Sequence, residues 1–89
     1  MFSAVTQLII TPIIGAYEMP YHEVFNGTFV QLQARVNELQ QGLSLLLPDE
    51  VFRIKVAEIN GSHVFFNEHY RWVDSNFKAV TIRKQFSLN

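Results

Sequence analysis

Residues 51–70 read VFRIKVAEINGSHVFFNEHY, and this stretch sets the fold class. Two runs rich in β-branched and aromatic residues, Val51 to Ile59 and Ser62 to about Tyr70, flank Asn60-Gly61. A two-residue Asn-Gly connection matches a type I′ hairpin, whose two central residues both need positive φ. It sets Ile59 against Ser62, Glu58 against His63, Val56 against Phe65 and Arg53 against Glu68, the last an oppositely charged pair. Beyond it, Asp74-Ser75-Asn76 reads as a second turn. Phe77 to about Phe86 then reads as a further strand with Val80, Ile82 and Phe86 on one face. The C-terminal half is therefore expected to be a three-stranded meander. One conflict stands inside it. The first run buries Phe52, Ile54 and Val56 best, which faces odd-numbered Phe65, yet the core candidates further on are Tyr70 and Trp72. Side chains alternate with period two, so a β-bulge or strand break is predicted near Asn67-Glu68.

Upstream of this stretch, residues 28–42 read as a helix. Thr28 can accept a first-turn amide and Gln31 can reach back to the cap, a capping box. Phe29, Leu32, Val36, Leu39 and Leu43 are spaced alternately by three and four, one stripe of a helix. Gln31, Gln33, Asn37 and Gln41 form the opposite face, and Gly42 is the expected terminal residue. The stripe is too short for a coiled coil and is read as packing on the sheet.

Towards the N-terminus, residues 2–10 read as a strand ended by Thr11-Pro12, since the residue before proline leaves the helical region and proline cannot donate to a ladder. A short helix presenting Phe2, Val5 and Ile9 is the competing assignment. Residues 11–27, with Pro12, Gly15, Pro20 and Asn26-Gly27, read as a long loop with a short element around Tyr21–Phe25. This loop is unusually apolar, carrying Ile13, Ile14, Tyr17, Met19, Tyr21 and Phe25. The expected architecture is one α+β domain over 1–89, a single helix packed on a small antiparallel sheet in the order β-loop-α-β-β-β. The first strand is expected at the edge or beside the third or fourth strand.

Composition narrows the function. Of the 89 residues, 48% are hydrophobic and only 17% charged, against about 25% charged in an ordinary soluble domain. A small domain has little interior, so apolar groups are expected at the surface, where a large patch marks an interface. The net charge of −1 makes no general demand for nucleic acid, although residues 51–89 hold six Lys or Arg against Glu58, Glu68 and Asp74. With no cysteine, disulfides and thiolate metal sites are excluded, and a reducing, cytoplasmic setting is expected. Met1–Val5 carries no positive residue, so no secretory signal is expected, and no stretch reaches the ~20 apolar residues of a membrane helix. Asn26-Gly27-Thr28 and Asn60-Gly61-Ser62 match the glycan acceptor pattern, but a cap and a turn account for them better.

No residue pattern announces chemistry. The glycines form no phosphate loop and no serine sits in a nucleophile elbow. His22, His63 and His69 are the weak metal or hydrolase candidates. His63 and His69 would lie about 20 Å apart on one strand, too far to share an ion. No cofactor is expected. The rings Phe65, Phe66, Tyr70, Trp72 and Phe77, interleaved with Lys55, Arg71 and Lys78, offer a single-stranded nucleic-acid sheet as an alternative, with core under the helix as the competing account.

Tyr, Trp and Arg also dominate protein interfaces. If Tyr70 and Trp72 face the core, then Arg71, Val73, Phe77 and Ala79 face outward as a patch, and Tyr17, Met19 and Tyr21 of the apolar loop are further interface candidates. The expectation is a non-enzymatic protein-interaction module, homo-oligomeric through apolar surface. Short cysteine-free chains without catalytic motifs commonly act as adaptors, assembly subunits or small inhibitors, virus-encoded ones included.

Overall fold

The computed structural model describes residues 7–59, 61–86 and 88. In chain order its elements are β1 (Gln7–Ile14), β2 (Tyr17–Glu18), β3 (Glu23–Asn26), α1 (Phe29–Leu46), β4 (Phe52–Glu58), β5 (His63–Phe66), β6 (Trp72–Val73) and α2 (Ile82–Gln85). The class is α+β: one main helix on an antiparallel sheet of order β2-β1-β4-β5-β6, with β3 also paired to β1. No helix among the described residues is long and apolar enough to cross a membrane.

The three central strands share one parity. Leu8 and Ile10 of β1, Ile54 and Val56 of β4, and Val64 and Phe66 of β5 all point to the α1 side. There they bury against Leu32 and Val36 of the helix, Ile82 of α2 and Phe86 just after it. Even-numbered side chains of β1, β4 and β5 thus face this core, while in β3 odd-numbered Phe25, opposite Leu8, does so. This corrects the hairpin register. Val56 pairs with Val64, Ala57 with His63 and Lys55 with Phe65. The Glu58 amide donates to the Ser62 carbonyl at 3.3 Å, which leaves residues 59–61 as the connection; Asn60 itself lies outside the described residues. The two-residue turn would have put His63, Phe65 and Asn67 on the helix side. In the observed register Phe66 takes the place of Phe65 and Val64 is buried where polar side chains would stand, worth about 1.5–3 kcal/mol, which outweighs a turn preference. The extra residue therefore sits in this connection, and the parity conflict disappears. A strand break does occur at Asn67, as a turn rather than a bulge, and β6 returns with Phe66 against Trp72. Glu68, expected opposite Arg53, lies in that turn.

Three more expectations change. Residues 2–6 of the first predicted strand lie outside the described residues, and from Gln7 the strand runs through Pro12 to Ile14. Nor is it an edge: β4 flanks it on one side, β2 and β3 on the other. Pro12 is tolerated because its carbonyl accepts from Met19 at 3.1 Å. A strand residue's carbonyl and amide point to the same neighbour, so the missing N–H faces the gap between β2 and β3. The helix passes through Gly42 and stops at Leu46, with Leu47 out of the helical region (φ −133°, ψ 70°) ahead of Pro48, since the residue before proline disfavours the helical conformation. Finally, residues 77–86 are a turn, an isolated bridge from Ala79 to Val73, and then α2. Ile82 and Phe86, spaced by four, reach the core as helical neighbours rather than strand residues.

A candidate protein-docking groove

Two turns of the same construction bracket β6. In the first, the Asn67 side-chain oxygen accepts the amides of His69 (3.0 Å) and Arg71 (3.1 Å). The Asn67 amide donates to the Arg71 carbonyl, and the Tyr70 amide to the Asn67 carbonyl. In the second, the Asp74 carboxylate accepts the amides of Asn76 (2.8 Å) and Lys78 (3.0 Å). The Asp74 amide donates to the Lys78 carbonyl, and the Phe77 amide to the Asp74 carbonyl. The sequence signal is an Asn or Asp, two variable residues, an aromatic and a basic residue, repeated seven positions on. Asn and Asp suit the first place because their short side chains close such turns onto the backbone.

The fourth place is the anomaly. Tyr70 has φ +61° and Phe77 has φ +65°, the left-handed region normally left to glycine or asparagine. A bulky residue there costs roughly 1–2 kcal/mol. Tyr70 recovers something by setting its ring edge-on to Phe66, centroids 5.7 Å apart. Phe77 has no ring partner among the described residues and is 73% exposed.

Asn67, His69, Arg71, Val73, Phe77 and Ala79 line one groove of about 680 Å³ on the sheet face that α1 leaves open. The structure so brings Arg71, Val73, Phe77 and Ala79 together. Val73 is not outward as expected but 6% exposed, the floor of the groove, in a second small core with Ile13 and Phe65. The Arg53 guanidinium lies 4.7 Å from the Phe65 ring centre and roofs that core. Arg71 has no acidic partner within 4.0 Å among the described residues, so the groove carries an uncompensated cation at one end and an aromatic at the other.

Tyr17, Met19 and Tyr21 lie elsewhere, along the β2–β3 edge. Tyr17 is exposed, whereas the Tyr21 hydroxyl donates to Glu23 at 2.9 Å. Met19 and His22 line a hollow of about 320 Å³ on the open sheet face with Thr11 and Glu58. Two of its charged groups are paired, Lys55 Nζ to Glu18 Oε1 at 2.7 Å. The hydrogen bond from Lys55 holds the Glu18 carboxyl below the usual carboxylate range. His63 packs edge-on to Phe65 at 5.3 Å, and His69 lines the groove beside Arg71. Each histidine thus keeps different company, and among the described residues no three His, Asp or Glu side chains could hold a metal together.

Of the five rings considered for stacking bases, Phe65 and Phe66 are buried. Trp72 packs on Phe66 at 4.9 Å and spends its indole N–H on Gln33 Oε1 at 2.8 Å. Only Tyr70 and Phe77 remain open.

Sequence reasoning missed one surface. Leu45, Leu46, Leu47 and Val51 are all exposed, the first two by 84% and 76%. The signal was present in the helix stop: Pro48 lets α1 run a turn past Gly42, beyond the sheet it packs on. Compared with protein-family models, curated proteins and solved structures, the chain matches none.

Proposed function

We propose that this chain is a non-enzymatic protein-interaction module, of the adaptor, assembly-subunit or inhibitor kind, working in a reducing cytoplasmic setting. It docks through the groove between Arg71 and Phe77. One observation carries the reading: Phe77 is held in a conformation that disfavours it, with its ring in solvent. The fold gains nothing from that ring, and such strain persists where it serves a site. Aromatic and arginine side chains around an apolar floor are the composition of interface centres.

Phe77→Gly tests it. Glycine adopts the left-handed conformation freely, so relief of about 1 kcal/mol should raise the melting midpoint by roughly 4–8 °C. Proteins captured by the unchanged chain from its native host lysate should no longer be captured. A variant that melts lower, or captures the same proteins, overturns the reading and makes Phe77 a structural residue.

A further inference from the structure

The groove has a complement on the same molecule. The corner that ends α1 exposes Leu45, Leu46, Leu47 and Val51 and carries Asp49 and Glu50. Neither carboxylate has a cationic partner within 4.0 Å among the described residues. The last turn of α1 also has no basic residue, so the negative end of the helix dipole goes unanswered within the protomer. Three sources of negative potential thus converge beside exposed leucines. Across the Asn67–Arg71 turn lies the opposite arrangement, an unpaired Arg71 with Val73, Ala79 and Phe77. The two surfaces abut: Tyr70 shares a hollow of about 340 Å³ with Gln41, Ser44 and Leu45 on the helix side, while Asn67, His69 and Arg71 of the same turn line the groove on the other.

We infer that the groove's occupant is a second copy of this chain. The Leu45–Val51 corner of each protomer seats on the Arg71–Phe77 groove of its partner. Two complementary surfaces side by side close on themselves about a two-fold axis, so each contact is made twice and the assembly stops at a dimer. The leucines cover Val73, Ala79 and the Phe77 ring. Asp49, Glu50 and the helix C-terminus take the Arg71 guanidinium, as charge complementarity across an interface requires. This deepens the docking reading above and rests on it, naming the partner of the same groove.

Charge reversal tests the pairing by sedimentation equilibrium, with folding of each chain checked by circular dichroism. The unchanged chain should dimerise. Arg71→Glu, and separately Asp49→Lys with Glu50→Lys, place like charges in both contacts, and each should weaken dimerisation at least about tenfold. Mixed one to one, the two variants again face opposite charges in both contacts, and the dimer should return as a heterodimer. A mixture as monomeric as its components overturns the assignment, and so does an unchanged chain that stays monomeric at about 1 mM. If in that case Phe77→Gly still melts higher and loses its captured proteins, only the second copy fails and the docking groove stands. A Phe77→Gly chain that melts lower defeats the docking reading instead.

Discussion

Glu23 shows how one side chain ties an edge strand to the helix. Its carboxylate receives Arg35 Nε at 2.8 Å and Nη2 at 2.6 Å, a two-pronged bond across twelve residues, and the Tyr21 hydroxyl as well. Arg35 also meets Glu38 one turn along α1. The hydrogen bond from Arg35 holds the Glu23 carboxyl below its ordinary value near 4.5, against the opposing effect of burial, and the guanidinium is held more firmly protonated in return. A depressed carboxyl stabilises the fold fully above its unfolded value and loses that contribution as pH falls through the lowered folded one. Melting midpoints taken from about pH 7 down to about pH 3 should therefore fall below about pH 4.5 in the unchanged chain. In Glu23→Gln they should start lower and fall less steeply. Equal slopes would show that the pair contributes nothing to acid stability. None of this was legible in sequence, because Glu23 and Arg35 become neighbours only when β3 pairs with β1.

The start of α1 lies at the scale of the element, and there the sequence is explicit. Thr28 Oγ1 accepts the Gln31 amide at 3.2 Å and Gln31 Oε1 accepts the Thr28 amide at 2.9 Å, the reciprocal cap. Gly27 precedes it, where a Cβ would crowd the Gln31 side chain that closes the cap. Thr28→Ala should cost about 1 kcal/mol, read as a lower urea midpoint at unchanged slope; no shift would mean that tertiary packing alone holds the first turn. The inner line of the helix was harder to see. Gln40 is 2% exposed, its amide donating to the Phe52 and Asn67 carbonyls while Oε1 finds no partner among the described residues. The apolar stripe could not announce a polar residue whose place is decided by two carbonyls distant in the chain, one in β4 and one in the turn after β5. The helix end was misjudged for a related reason: Gly42 costs the helix only about 1 kcal/mol, less than the packing of Leu43 against the core returns.

At the scale of the whole molecule, apolar residues divide into those the fold uses and those it leaves out. Leu32 is fully buried, so Leu32→Ala should lose about 2–5 kcal/mol. Leu46, although it continues the same stripe, stands beyond the sheet. Leu46→Lys should change stability by less than about 0.5 kcal/mol and weaken self-association. Denaturant midpoints and sedimentation on both variants check this together, and a large stability loss at Leu46 would place it in the core.

Local patterns determined much of this protein by themselves: the α+β class, the capped helix, strands at β4 and β5, and a break at Asn67. Each depends on residues near one another in the chain, through periodicity, turn chemistry or alternation of faces. Only the tertiary structure decided the hairpin register, the inner position of β1, the helical turn at Ile82–Gln85 and the left-handed aromatics. Those outcomes depend on how much apolar surface each arrangement buries between distant segments, and no local preference of a kilocalorie can compete with that sum.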